Sequence, residues 1–306
     1  MREEETGQKR GYREAKSPGS AVAWGGEHVN ILEFTLLIGL GSLVAGFLGS
    51  LTGLGGGVVI VPLLALVFGV DIRYAIGASL ISVIATSSGA AAAYVREGYS
   101  NIRLGMVLEI ATTVGALCGA LLAAEIATRV IAVIFGMVLL YSAYLSRRPP
   151  LGRLSHDPPD PLATRLRLHA SYPTPQGPQA YYVYGVPAGF GLMFVAGVLS
   201  GLLGIGSGAV KVLALDRAMR LPFKVSTTTS NFMIGVTAAA SAGVYLNRGY
   251  IDPGLAMPVV LGVLLGSLLG ARVLVSAETR LLRVVFSLVI VGLAIEMIYN
   301  GFTGKL

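Results

Sequence analysis

Lys211 stands inside an apolar run, three residues after Gly208 and about one turn before Asp216. Further on, five consecutive hydroxyl side chains, Ser226 to Ser230, lead through Asn231 into a second apolar stretch. An ammonium group, hydroxyls and an amide can all donate hydrogen bonds to an oxyanion, and the neutral donors do so without a fixed charge, which keeps binding weak enough for release. A lysine deep in an apolar run is costly and marks a functional candidate. Its alternatives are snorkelling to an interface or pairing with Asp216. Ser226 and Thr227 also suit a helix N-cap and interhelical hydrogen bonds, whereas Ser230 and Asn231 sit further in. Thr86, Ser87 and Thr237 are weaker candidates of the same kind.

Two glycine clusters flank these groups. "GSLTGLGGGVVIVP", residues 49 to 62, carries Thr52, Gly53, Gly55, Gly56 and Gly57, and a second cluster carries Gly204, Gly206, Ser207 and Gly208. Each glycine lowers helix stability by roughly 1 kcal/mol relative to alanine, so a helix is expected to break at both places. A break at membrane depth frees backbone N–H and C=O groups, tolerated only against protein or a water-filled cavity. Paired broken helices in transporters with repeated halves form substrate sites, their half-helix N-termini directed at anions. Close helix packing is the competing reading of such glycines. A nucleotide-binding loop does not fit, because neither cluster ends in Gly-Lys-Ser/Thr.

The elements that must position these residues follow from composition. The 306 residues are 54% hydrophobic and 13% charged with a mean hydropathy of +0.73, far fewer charges than the roughly 25% of soluble domains. Apolar stretches cover 34 to 69, 75 to 95, 104 to 124, 127 to 145, 183 to 215, 225 to 246, 255 to 275 and 281 to 300. Several approach the roughly 20 residues that span a bilayer, and lipid permits only helices in that pattern. The fold class is therefore an all-α polytopic membrane protein. The net charge of +7 lies mainly in short loops and polar segments, the ordinary membrane distribution, and no nucleic-acid motif accompanies it. Cys118 is the single cysteine and reads as a small packing residue with no intramolecular disulfide.

Residues 1 to 32 read as a polar N-terminal arm with no signal-peptide core. Residues 33 to 146 and 182 to 306 form two transmembrane blocks. Between them, residues 147 to 181 are rich in proline and arginine and read as a linker with little regular structure beyond one short basic helix near 162 to 169. His156 and His169 lie in it at a spacing that matches no common metal-ligand pattern, so neither a metal nor a cofactor is expected.

The two blocks repeat each other. With residue 45 laid on residue 196 (196 − 45 = 151), Gly53, Gly55 and Gly57 fall on Gly204, Gly206 and Gly208, Ser79 on Ser230, Thr86 on Thr237, Tyr94 on Tyr245 and Gly115 on Gly266. Roughly 20 of about 75 positions are identical without a gap, which indicates a duplicated unit. Lys211 falls on apolar Ile60. Each unit is expected to hold a glycine-interrupted helix followed by three spanning helices; an odd number of crossings would invert the second unit relative to the first. Counting the linker arginines Arg147, Arg148, Arg153, Arg165 and Arg167 places it in the cytoplasm. Glu109 and Glu296 invite a proton-coupling reading, but neither has an acidic partner in the other repeat, and pairing or proximity to a helix end accounts for both.

"GFLGSLTGLGGGVVIVPLL", the repeated "GVLSGLLGIGSGAVKV" and "STTTSNFMIGVTAAASAGVY" resemble the sulfite exporter TauE/SafE family over about residues 34 to 300. The first half reads Gly77-Ala78-Ser79 where the family pattern has Gly-Thr-Ser. The resemblance implies a secondary transporter in the cell membrane, an exporter of small sulfur-containing anions such as sulfite, sulfoacetate or other organosulfonates, held between inverted repeats. On that reading Thr52, Gly53, Gly55, Gly56, Gly57, Ser79, Thr86, Gly204, Gly206, Ser207, Gly208, Lys211, Thr229, Ser230 and Asn231 contact the substrate. Its partners are the small anion, the lipid bilayer and a coupling proton or ion. Transport of another anion, such as thiosulfate uptake, or a non-transporting assembly role are the alternatives. The apolar blocks hold no His/Asp/Glu cluster or Gly-x-Ser-x-Gly elbow, so an enzyme is not expected. The small-residue stretch Gly262 to Gly270 could pack within the protomer or form a homodimer.

Overall fold

The computed structural model describes residues 23–24, 27–28, 31–52, 56–96, 98–146, 160–174, 176–276 and 279–304, with the side chains of 23–24, 27–28, 31, 50–52, 89–96, 145–146, 209 and 270–287 excepted. A short pairing of β1 (Ala23–Trp24) with β2 (Glu27–His28) precedes the helices. The first repeat comprises α1 (Ile31–Thr52), α2 (Gly57–Pro62), α3 (Ile72–Arg96), α4 (Ile102–Glu125) and α5 (Thr128–Ser146). After α6 (Pro161–Arg165) and the hairpin of β3 (Ala170–Thr174) and β4 (Gly177–Tyr181), the second repeat comprises α7 (Val186–Leu203), α8 (Gly208–Leu213), α9 (Phe223–Asn247), α10 (Pro253–Ser276) and α11 (Thr279–Thr303). The starts of α8, α9, α10 and α11 each fall at the repeat offset from those of α2, α3, α4 and α5. Even the π-helical turns that follow α2 and α8, Leu63–Val67 and Ala214–Ala218, obey it.

Packing follows the same symmetry. α1 packs mainly on α10 and α7 on α4, while α3 meets α9 and α5 meets α11. Each long helix of one repeat thus has its main contact in the other, whereas the short α2 and α8 pack chiefly on α3 and α9 of their own repeats, and the two repeats share one interior. Glycines sit at close backbone approaches in these contacts. A Cβ at Gly197 of α7 would run into Thr112 O of α4, and one at Gly46 of α1 into Val263 O of α10. Those two contacts are the same contact in the two repeats. Gly262 and Gly266 likewise lie against Gly39 O and Leu43 O, so this part of the stretch packs within the protomer. Small residues let backbones approach, the main packing device where lipid supplies no hydrophobic drive.

Large apolar side chains such as Leu36, Leu40 and Val44 on α1 and Met106, Ile110 and Leu121 on α4 are exposed, while Ser79, Thr112, Lys211, Thr229, Thr237 and Ser241 are buried. Polar groups inside and an apolar outside suit a lipid surround. The stretches Leu32–Gly49, Ile102–Glu125 and Val186–Leu203 are long and apolar enough to cross a membrane by length and composition. Cys118 is exposed on α4, a correction to its reading as a packing residue: its neighbours Gly115 and Gly119 take the inward positions against α7.

The second half of the linker is more ordered than its proline content suggests. Asp160 caps α6 through Leu162 N at 2.8 Å and accepts from Val186 N, the first residue of α7, at 2.9 Å. The Val186 and Leu162 N–H groups hold its carboxyl below the usual aspartate range. His169 accepts from Val183 N at Nδ1, so its Nε2 carries the proton and donates to Thr164 Oγ1. His169 is thus committed to holding the hairpin. His156 and Arg147, Arg148 and Arg153 lie outside the described residues.

Candidate functional site

The helix breaks predicted from glycine occur. In the second repeat Gly204, Gly206 and Ser207 take left-handed backbone conformations, with φ of 68°, 68° and 49°, between the end of α7 and the start of α8. Glycine is required at the first two because a side chain there would also meet Ile76 and Ile234. Ser207 adopts the conformation with a side chain, at a cost of roughly 1 kcal/mol. Its Oγ is buried without a hydrogen-bond partner, and strain joined to an unsatisfied hydroxyl is a mark of functional positions. In the first repeat α1 ends at Thr52 and α2 starts at Gly57; Gly53, Gly55 and the Thr52 side chain lie outside the described residues.

The start of α2 meets the break of the second repeat. Ser79 Oγ on α3 donates to Gly204 O at 2.8 Å. A Cβ on Gly57 would lie 2.8 Å from Ser79 Oγ and 3.2 Å from Gly204 O. Gly56 faces Val263 of α10. Ser230, the repeat mate of Ser79, donates to Gly208 O at 3.4 Å, so each serine sits against the glycine that opens its own repeat's α2 or α8. The structure therefore brings Gly57, Ser79 and Gly204 together across the two repeats, and Ser230 against Gly208 within the second.

Lys211 lies one turn into α8, its side chain fully buried, and Nζ donates to Thr237 Oγ1 on α9 at 2.5 Å. Thr237 Oγ1 donates to Glu109 Oε1 on α4 at 2.6 Å and also lies 2.8 Å from Met233 O. A second hydroxyl, Thr113 Oγ1, reaches Glu109 Oε1 at 3.2 Å. Thus α4, α8 and α9, from both repeats, converge on a Glu109–Thr237–Lys211 chain. The repeat mates of these residues are Val260, Thr86 and Ile60, so the charged chain is built once. Opposite charges brought together in a dry interior stabilise each other, and removing one strands the other.

The remaining predicted residues divide. Thr229 Oγ1 accepts from Asn101 N at 3.0 Å and so supports the start of α4, where Asn101 caps Leu104 N and also binds Leu168 O and the Tyr181 hydroxyl. Burial pushes that phenol up to about 12. Thr227 and Thr228 bond back to Phe223 O and Lys224 O, Thr86 to Ser82 O, and Asn231 is half-buried on α9. These hydroxyls bond back to their own helices. The Ser226 Oγ is buried without a partner. The pairing expected of Glu109 is found, with Thr237 and, through it, Lys211 as its partners. Glu296 is exposed on α11.

A chain of apolar-faced helices in two interlocked repeats, broken at paired glycine clusters around a buried charge pair, has the build of a polytopic membrane transporter. The family model of the sulfite exporter TauE/SafE matches residues 38–297, and the chain belongs to that family. Among curated proteins it is 28% identical to the "Probable membrane transporter protein YunE" of Bacillus subtilis, over 88% of this chain and 99% of that one. It is 27% identical to a "Probable membrane transporter protein" of Xylella fastidiosa, over 90% of this chain and 98% of that one. A protein of the same description from Methanocaldococcus jannaschii is 27% identical, over 84% of this chain and 92% of that one. No solved structure gives a significant match. The family and these relatives are membrane transporters rather than enzymes.

Proposed function

We propose that this multi-pass membrane protein is a secondary transporter, an exporter, of small sulfur-containing anions such as sulfite, sulfoacetate or other organosulfonates. The anion binds between the two repeats where their helix breaks meet. The observation that carries this reading is the burial of Lys211 one turn beyond the strained, unpartnered Ser207, in the same broken segment whose Gly204 meets Ser79 of the other repeat. The Lys211 cation, now on Thr237, the spare Ser207 hydroxyl and the first N–H groups of α8, which lack intrahelical acceptors, together suit an oxyanion headgroup. The family description supports sulfite chemistry. Inversion of the second repeat and a cytoplasmic linker belong to the same reading, because alternating access then works by rocking one repeat against the other.

The test is thermal unfolding of detergent-purified protein with sulfite, thiosulfate, sulfoacetate, isethionate, taurine, sulfate and chloride. A ligand that binds only the folded state raises the midpoint with its saturation. Stabilisation by a sulfur oxyanion that disappears in Lys211→Ala supports the site. No shift with any of these anions contradicts it.

A further inference from the structure

We propose that Glu109 is the proton-coupling group of the transporter: its carboxylate holds the anion's place on Thr237 and Lys211, and it takes up one proton when an anion displaces it. This rests on the reading of Lys211 as the anion-binding cation.

Thr237 Oγ1 is the joint of the chain, accepting from Lys211 Nζ and lying 2.6 Å from Glu109 Oε1. A hydroxyl has one proton to donate. The donors that Glu109 now engages are those an oxyanion would require, so the carboxylate and the substrate compete for one place. The second carboxylate oxygen, Glu109 Oε2, is buried with no hydrogen-bond partner. An unpartnered carboxylate oxygen is where a proton is accepted most readily, because the neutral acid no longer carries a charge into the interior.

Charge balance sets the stoichiometry. With Glu109 ionised and Lys211 protonated the site is neutral. A monovalent oxyanion entering beside an ionised Glu109 would leave a net negative charge in a dry interior, which is costly. One proton from the water on the side of entry, bound as an O–H on Glu109, restores neutrality, and no other bond forms or breaks. Release of the anion on the far side returns the carboxylate to Thr237 and the proton to water. One anion and one proton move together, and net flux follows the sum of their two gradients, so export occurs when the anion gradient outward exceeds the proton gradient inward.

Among the described residues the nearest other charged groups are Asp216, buried on the π-helical turn after α8 and engaged with a group of its own, and Arg217 beside it; Lys211 is paired with Glu109 rather than with Asp216. α7, packed along α4, has no titratable side chain between Val186 and Leu203. On α9, Lys224 lies over the Tyr99 ring and Tyr245 donates to Gly201 O, both about two turns or more from Thr237. On α4 itself, Arg103 near the start bonds Arg167 O, Cys118 faces outward and Glu125 ends the helix. Because the repeat mates are Val260, Thr86 and Ile60, there is one such coupler per chain.

The experiment uses the full chain in liposomes with a trapped pH dye and isethionate, a sulfonate that keeps its single charge at neutral and mildly acidic pH, or, where another anion stabilises the protein more, that anion. Wild type should acidify the lumen as the anion enters, one proton per anion, and its affinity should rise about tenfold per pH unit lost, the linkage of one proton. Glu109→Gln should bind equally at about pH 7.5 and about pH 6.5 and move the anion without protons, while Glu109→Asp should keep the coupling. A slope that persists in Glu109→Gln would assign the proton to Lys211 and overturn the proposal. Wild-type anion flux without proton movement would overturn it while leaving anion transport in place. Failure of every anion to bind removes the Lys211 site, and the proposal falls with it.

Discussion

Ser79 of the first repeat donates its hydroxyl to the carbonyl of Gly204, the residue at which the second repeat's helix breaks, at 2.8 Å. One repeat thus satisfies the backbone that the other leaves open, which a break at membrane depth requires. Ser79→Ala removes this bond without adding bulk and should lower stability by about 1 kcal/mol. Thermal unfolding in detergent checks this.

The charge pair gives a sharper contrast. Lys211→Met alone strands Glu109 and Glu109→Leu alone strands Lys211, and each should destabilise by about 3–5 kcal/mol. The double variant leaves no unpaired charge and should recover most of that stability. It should not recover anion binding. Urea or thermal unfolding of the three variants, with anion stabilisation measured alongside, completes the cycle.

Ser207 separates stability from function. Ser207→Gly relieves a side chain held at φ 49° and should raise stability by up to about 1 kcal/mol. The same change removes the unpartnered Oγ and should weaken anion stabilisation. A variant that is both more stable and unimpaired in binding would make Ser207 a backbone feature only.

How much of this was legible in the sequence differs by feature. The repeat register foretold the boundaries of α8 to α11 because duplicated chains keep the spacing of their elements, and Gly204 and Gly206 announced a break because only glycine takes those backbone angles without strain. The partner of Lys211 was harder to see. Glu109 is distant in sequence and its pairing runs through Thr237, a hydroxyl that reads as ordinary helix packing. The hairpin at Ala170–Tyr181 was hidden by its prolines, Pro173 and Pro178, which sit opposite each other in a two-stranded ribbon, where each strand has a free edge that needs no N–H.

The glycine contacts yield a symmetric prediction. Gly197→Ala and Gly46→Ala force backbone apart at equivalent crossings and should each cost about 1–3 kcal/mol. Gly191→Ala, on the same helix as Gly197 but with nothing near its Cβ position, should be neutral within about 0.5 kcal/mol. Unfolding midpoints of the three variants decide it.

Acid should loosen the linker before the helices. The carboxyl of Asp160 is held below its ordinary range by the N–H groups of Val186 and Leu162. A depressed carboxyl contributes stability above its unfolded pKa and loses it as pH falls through the folded value. Hydrogen exchange at Leu162 and Val186 should therefore be protected at neutral pH and lose protection, beyond the intrinsic pH effect, at strongly acid pH. Asp160→Asn should show reduced protection already at neutral pH.

The most direct measurement is flux of labelled sulfite and sulfoacetate through liposomes that hold the purified protein, for wild type and Lys211→Ala matched for folded protein. The account predicts flux above protein-free liposomes for wild type, competed by an excess of unlabelled anion and reduced to background in the variant. Flux that is equal in the two proteins, or absent from both, would contradict it.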